Sequence, residues 1–487
     1  MKHQRRIHKG MILCLVAALL WTNFSNSATT QAARVSVHIN QVGYVPGWPK
    51  RAAIANSSTA PLAWQLKNSS GATVLAGNTS VLGYDPSSGD NVHSADFSAY
   101  ATPGSNYTLT VGGVTSNPFD IGGAVYSRLK YDALAYFYHN RSGIAITMPY
   151  AGRTDLTRPA GHLGVAPNQG DTSVPCAPGI GCSYSLDVRG GWYDAGDHGK
   201  YVVNGGISLW TMLNQYERAR YFGATAPFAD GRMNIPEQAN GVADILDEAR
   251  WQMEFMIRMQ VPASTGSPLA GMVHHKMHDA NWSGIPTRPD QDTQPRQLRP
   301  VSTAATLNLA ATAAQCARVW RGIDAAFASK CQTAAETAWS AAQAHPAMYA
   351  SDGDGTGGGP YGDGDVSDEF YWAAAELYVT TGNATYRSYL TGSPHYRSAA
   401  VPSWQATQAL GTISLAVVPN NFSAADIASF RSSIAAAANG SLATISGQAY
   451  RVPIATYDWG SNSFITNAMI LLGLAHDFSA DQDHRVG

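Results

Sequence analysis

Charge is scarce in this 487-residue chain: Asp, Glu, Lys and Arg make up 14% of it and the formal net charge is −2. Beyond Lys2, Arg5, Arg6 and Lys9 there is no basic run, so the electrostatic footprint of a nucleic-acid binder is missing and no such partner is expected. No segment after Trp21 is apolar enough for a bilayer, which argues against a membrane anchor. Cysteine is sparse, with five in all, and glutamate is absent from Leu377 to Gly487.

What is abundant is glycine and aromatic side chains: 47 Gly, 23 Tyr and 12 Trp. Rings on a weakly charged surface suit a neutral polymer such as a polysaccharide, although they serve a core equally well. The basic start, the apolar run Met11 to Trp21 and the small-residue patch up to Ala33 read as a signal peptide over residues 1–33. Cys14 leaves with it, so an exported protein, extracellular or periplasmic, would retain Cys176, Cys182, Cys316 and Cys331. Local pairing is the simplest arrangement: Cys176 with Cys182 around a Gly-Pro loop, and Cys316 with Cys331 as a staple between two helices. A zinc site using Cys176, Cys182 and a nearby His is the alternative, although the spacing matches no standard finger.

The chain is long enough for a large catalytic unit with an appended module. From residue 34 to 122, short alternating segments such as Leu62-Ala-Trp-Gln-Leu-Lys67 and Ser105-Asn-Tyr-Thr-Leu-Thr-Val111 predict a β-sandwich. At Tyr126 the period changes to helical, and residues 123–487 form the second predicted domain. Helices are expected at 240–259, 302–320, 327–344, 366–381, 404–418, 423–438 and 461–477. The Gly-, Pro-, His- and Asp-rich loops 151–199, 262–301 and 345–365 are where a site would be built.

Within the first loop, Gly190-Gly-Trp-Tyr-Asp-Ala-Gly-Asp-His-Gly-Lys-Tyr201 sets Asp194 and Asp197 between glycines and rings. Two carboxylates three residues apart reach one small volume, as sugar hydrolysis could use, or they cap a helix beginning near Lys200. Asp363-Gly-Asp-Val-Ser-Asp-Glu369 clusters carboxylates and carbonyls suited to Ca²⁺, or supplies the acidic first turn of a helix.

The first motif, with His38-Ile-Asn-Gln-Val-Gly-Tyr44, Asp368-Glu-Phe-Tyr-Trp-Ala-Ala-Ala-Glu376 and Tyr457-Asp-Trp-Gly-Ser-Asn-Ser463, resembles glycoside hydrolase family 9, in the subgroup with an N-terminal immunoglobulin-like domain. The resemblance implies an (α/α)6 barrel after the sandwich and a secreted, monomeric endo-1,4-β-glucanase that cleaves β-1,4-glucan with inversion. It casts Asp197 as the general base and Asp194 as the neighbour that holds the attacking water. Inversion needs a second carboxyl about 6.5–9.5 Å away across the scissile bond, which two aspartates of one turn cannot supply. In the family that acid is a glutamate near the end of the catalytic domain. None follows Glu376 here, so the reading is of a barrel lacking its last helices, incomplete at the C-terminus. The alternative is a glucan-binding remnant without turnover.

The same resemblance points to Asp368 and Glu369, with the carbonyls of Gly364 and Asp365, as Ca²⁺ ligands. It places Trp459 on a glucosyl unit. Tyr193, Trp282 and His275 are further substrate-binding candidates, with His274 and His278 in the same loop.

Overall fold

The computed structural model describes residues 35–481 together with Asp483 and His484; the signal peptide expected over 1–33 lies outside them. The chain divides into two compact units. One comprises Lys50–Ile121 with the residues up to Gln41, and the other Gly122 onward together with Val42–Pro49.

The first unit is built of antiparallel strands in two sheets. One has the order β1 (Ser36–His38), β2 (Arg51–Ala55), β6 (Asn91–Asp96), β5 (Ser80–Tyr84). The other runs β4 (Thr73–Asn78), β3 (Ala63–Lys67), β7 (Gly104–Val111), β8 (Val114–Thr115), with β9 (Phe119–Ile121) also on β7. Register follows the apolar alternation read from the sequence: Leu66 faces Leu109 and Trp64 faces Val111, all four buried. Strands β3, β7 and β9 thus turn one row inward, as a half-buried antiparallel sheet requires.

The second unit is helical: α1 (Leu129–His139), α2 (Val202–Phe222), α3 (Asp244–Arg258), α4 (Thr303–Trp320), α5 (Ala325–Ala344), α6 (Ser367–Thr381), α7 (Ala384–Gly392), α8 (Gln408–Val417), α9 (Ala424–Gly447) and α10 (Ser461–Ser479). Side-chain caps start four of them: Ser302 on Ala305 N, Asp324 on Phe327 N, Asn383 on Thr385 N and Ser423 on Asp426 N. Alanine explains the centre. Ala304, Ala305, Ala310, Ala311, Ala313 and Ala314 of α4 are all buried, and small side chains let α4 pack closely against α2, α5 and α6. Most helices lie within a few residues of the ranges predicted from periodicity. The short α7 was not foreseen, and α9 runs nine residues beyond its expected end.

Buried ion pairs tie the helices together. Glu376 of α6 accepts from Trp210 Nε1 (2.7 Å) and Ser414 Oγ (2.6 Å) and pairs with Arg318 (2.5 Å). Glu248 of α3 holds Arg141 and Trp192 Nε1. Among the described residues, no helix is long and apolar enough to cross a membrane.

Candidate active site

The expected base turn stands on a backbone that only glycine permits. Gly190 (φ +78°) and Gly191 (φ +75°) are left-handed, and a Cβ on Gly191 would come within 2.5 Å of the Phe255 ring of α3. The chain then curls through Asp194–Gly199, closed by the hydrogen bond from Asp194 N to Gly199 O (3.1 Å). It leaves as β10 (Lys200–Tyr201), which pairs with β11 (Lys276–Asp279), itself paired with β12 (Arg296–Leu298). α2 begins only at Val202, and no side chain caps it, so neither aspartate has the helix-capping role that composition allowed.

Both carboxylates are half-buried and held in place. Asp197 Oδ2 accepts from Tyr201 OH (2.5 Å) and Gly199 N (3.1 Å). Its Oδ1 has no hydrogen-bond partner among the described residues. Asp194 uses both oxygens, accepting from Asn204 Nδ2 (2.9 Å) and Tyr361 OH (2.8 Å). Burial pushes the Asp194 carboxyl above its usual range, with the charge of Asp197 adding to this and the two hydrogen bonds opposing it. Tyr201 OH also receives Gly359 N (2.8 Å), and the Tyr361 ring lies edge-on to both Tyr201 (4.9 Å) and Trp404 (5.3 Å). A cavity of about 310 Å³ opens beside Asp197, lined also by Asn140, Arg158, Ile285 and Thr287.

Beneath the turn lies a buried ionic layer. Arg296 reaches Asp171 (2.9 Å), Asp279 (2.6 Å) and the carbonyl of His198 (2.8 Å). Lys200 Nζ pairs with Asp171 (2.7 Å) and donates to the carbonyls of Val188 and Gly190. Burial lowers Lys200 to about 8 and would raise Asp171, but the adjacent Arg296 and Lys200 hold the Asp171 carboxyl well below the usual range. These pairs pin the turn from below.

A half-buried carboxylate with one free oxygen, on a glycine-flanked turn beside a hollow of about 310 Å³, is equipped to take a proton from water. Comparison with known proteins places the chain in a family. The model of the cellulase N-terminal ig-like domain matches residues 32–116, and that of glycosyl hydrolase family 9 matches residues 126–486. The chain belongs to glycosyl hydrolase family 9.

Among relatives of this family 9 chain, a cellulose 1,4-beta-cellobiosidase of Acetivibrio thermocellus is 50% identical over 93% of the chain and 55% of its own length. Endoglucanase C of Cellulomonas fimi is 47% identical over 92% of the chain and 42% of its own length. The chain thus spans about half the length of the curated relatives it matches. A crystal structure of a metagenome-derived family 9 endoglucanase superposes with a TM-score of 0.79 at 32% identity, covering 93% of this chain and 81% of the other. Accordingly, an N-terminal immunoglobulin-like β-sheet domain is followed by a helical family 9 domain.

The structure corrects several residue assignments. Tyr193 is buried, its hydroxyl 2.6 Å from His162 Nδ1, so its ring is not available to stack on a sugar. His275 is buried between Ser302 Oγ (2.8 Å) and the Tyr361 carbonyl (3.0 Å), and burial lowers its imidazole to about 4. His274 and His278 are buried too, so these histidines are structural. Trp282 and Trp459 do present open rings, 54% and 100% exposed. Cys176 and Cys182 form the expected disulfide, which removes them as zinc ligands. Cys316 and Cys331 are free thiols 3.3 Å apart, not the bonded staple expected between these helices, α4 and α5.

At the acidic loop, Asp368 and Glu369 do occupy the first turn of α6, yet their surroundings differ from those of ordinary cap residues. Both oxygens of buried Glu369, and Oδ2 of Asp363, have no hydrogen-bond partner among the described residues. Burial, with Asp368 and Asp363 nearby, pushes the Glu369 carboxyl well above its usual range. Asp368 Oδ2 accepts from Thr407 N (2.6 Å), and Gln405 donates to the Gly362 carbonyl. Orphaned, hard oxygen donors fit a cation of the calcium class. Sequence reasoning passed over Tyr361 and Asn204. Asn204 sits in the first turn of the helix after the motif, and Tyr361 two residues before Asp363, but nothing in their spacing announces a contact with Asp194.

Proposed function

We propose that this chain is a secreted endo-1,4-β-glucanase that hydrolyses β-1,4-glucan by inversion, acting as a monomer, its helical domain an (α/α)6 barrel. Asp197 Oδ1, the one free carboxylate oxygen of the turn, carries the reading. Water approaching the anomeric carbon gives its proton to Oδ1, while Tyr201 OH and Gly199 N keep the carboxylate from rotating. Asp194, both oxygens already oriented by Asn204 and Tyr361, orients that water as an acceptor. Inversion also requires a carboxylic acid on the opposite face of the sugar, about 6.5–9.5 Å from the base, to protonate the leaving oxygen, and none of the described residues is assigned that role. Trp459 and Trp282 offer faces on which pyranose rings stack. A binding-only alternative draws no support from the relatives above, which are named for hydrolysis.

Calcium has a place in this proposal. Asp363, Asp368 and Glu369, with the carbonyls of Gly364 and Asp365, would hold it, and it would supply charge neutralisation and no reaction step. Tyr361 belongs to the same loop, so rigidity there would pass to Asp194.

The test is release of reducing ends from carboxymethylcellulose by the full chain and by Asp197→Ala. Activity in the parent that falls by about 10²-fold or more in the variant supports Asp197 as base. Equal rates would exclude it, and glucan binding without turnover in the parent would reinstate the binding-only reading.

A further inference from the structure

His198 follows the proposed base directly, and both of its ring nitrogens face acceptors. Nδ1 lies 2.8 Å from Asp292 Oδ2 and 3.7 Å from Asp279 Oδ2, while Nε2 lies 3.1 Å from the carbonyl oxygen of Thr287. A neutral imidazole has one proton to give, and here two acceptors without protons require two. The other groups around the ring are His162, whose ring centroid is 5.4 Å away and whose Nε2 is 3.2 Å from the same Asp292 oxygen, and Tyr193 at 5.7 Å. Arg296 donates to the His198 carbonyl from β12. Burial lowers His162 to about 4, so the proton of this cluster resides on His198.

The partners of His198 are spread across a loop that touches the base turn a second time. Thr287 and Asp292 belong to residues 284–292. In the same stretch Ile285 covers Gly196, where a Cβ would stand 3.0 Å from its Cδ1, and it lines the hollow beside Asp197. The loop therefore grips Ala195–His198 from two directions, and His198 is its ionic attachment.

We propose that His198, as a doubly protonated ring, is a positioning residue that clasps the loop 284–292 to the base turn and thereby holds Asp197 at its working angle. Burial alone would lower this imidazole, but its hydrogen bonds to Asp279 and Asp292 outweigh burial and raise it to about 9. The clasp is closed at neutral pH and opens as pH rises through that value. The inference rests on Asp197 being the base, since a loosened turn matters to turnover only through that carboxylate.

The experiment compares the full chain with His198→Gln, which keeps a donor but no charge, and with the isosteric Asp292→Asn should His198→Gln fail to fold. Hydrogen–deuterium exchange of peptides spanning 284–292, corrected for intrinsic rate, should be slow at about pH 7 and faster at about pH 10 in the parent, and fast at both in either variant. With cellopentaose, kcat of the parent should fall above about pH 9 with KM little changed, whereas the variants should lose roughly tenfold in kcat at about pH 7 and show no such limb. Unchanged exchange and an unchanged pH profile in the variants would overturn the clasp. If the parent releases no sugar, the functional reading fails, while loop exchange still decides whether His198 holds residues 284–292.

Discussion

Two carboxylate clusters flank the proposed base, and they balance their charge in opposite ways. Under the turn, Asp171, Asp279 and Asp292 are answered from within the chain by Arg296, Lys200 and His198, at 2.6–2.9 Å. In the loop that carries Tyr361 and the helix turn after it, Asp363 and Glu369 stay buried with oxygens that no donor among the described residues reaches. A buried carboxylate without a partner is costly, so the first cluster is balanced within the chain, whereas the second is where the proposed calcium would bind. One face of the site is balanced by folding alone, and the other is where the proposed calcium would act.

Breaking the internal cluster should have the largest effect. Arg296→Met leaves Asp171 and Asp279 buried with less than their charge balance, and a loss of about 3–5 kcal/mol is expected in urea unfolding. Chelation is the counterpart test on the other face. EGTA should lower Tm of the full chain and calcium in excess should restore it, a gain of about 2.7 kcal/mol at one hundred times Kd. Glu369→Gln should abolish that response and Arg296→Met should not, a reversal that would erase the distinction drawn here.

A smaller effect is expected where the second cluster meets the base turn. Tyr361→Phe removes one hydrogen bond to Asp194 and should cut kcat roughly tenfold while leaving KM near its parent value. The smallest effect is on pH. Because His198 is raised from 6.5 to about 9 in the folded protein, its contribution is whole below about pH 6.5 and fades as pH rises towards 9. Calorimetry of the calcium-saturated chain should show Tm drifting down over that interval, less so in His198→Gln.

The comparison also explains what could be read from the sequence. Asp194 and Asp197 were legible because local glycines and a three-residue spacing suffice to aim them. Helix α3 was legible because Ile245, Ala249, Met253 and Met256 recur every three to four positions, whereas α4 and α6, buried nearly all round, were legible from alanine-rich runs of high helix propensity. Tyr361 was not, since its contact spans 167 positions, from one loop to another, and no periodicity encodes such a meeting. Tyr193 and His275 misled for a related reason. A ring or imidazole within a ligand-binding motif can face either the cleft or the scaffold, and here both face the scaffold. Cys316 and Cys331 were placed together correctly by helix spacing, but proximity does not fix bonding state.

Gly191 bears on how such a protein could be altered. With its φ of +75° and the Phe255 ring at 2.5 Å from any added Cβ, the backbone before the base turn rests directly on α3 without a side chain between. Variation at Gly191 would therefore be read by the catalytic geometry itself, since neither rotamer nor linker stands between to absorb it. A mutational library seeking new specificity would find its freedom at the exposed Trp282, and would find Gly191 and Phe255 inherited as one unit, replaceable only together.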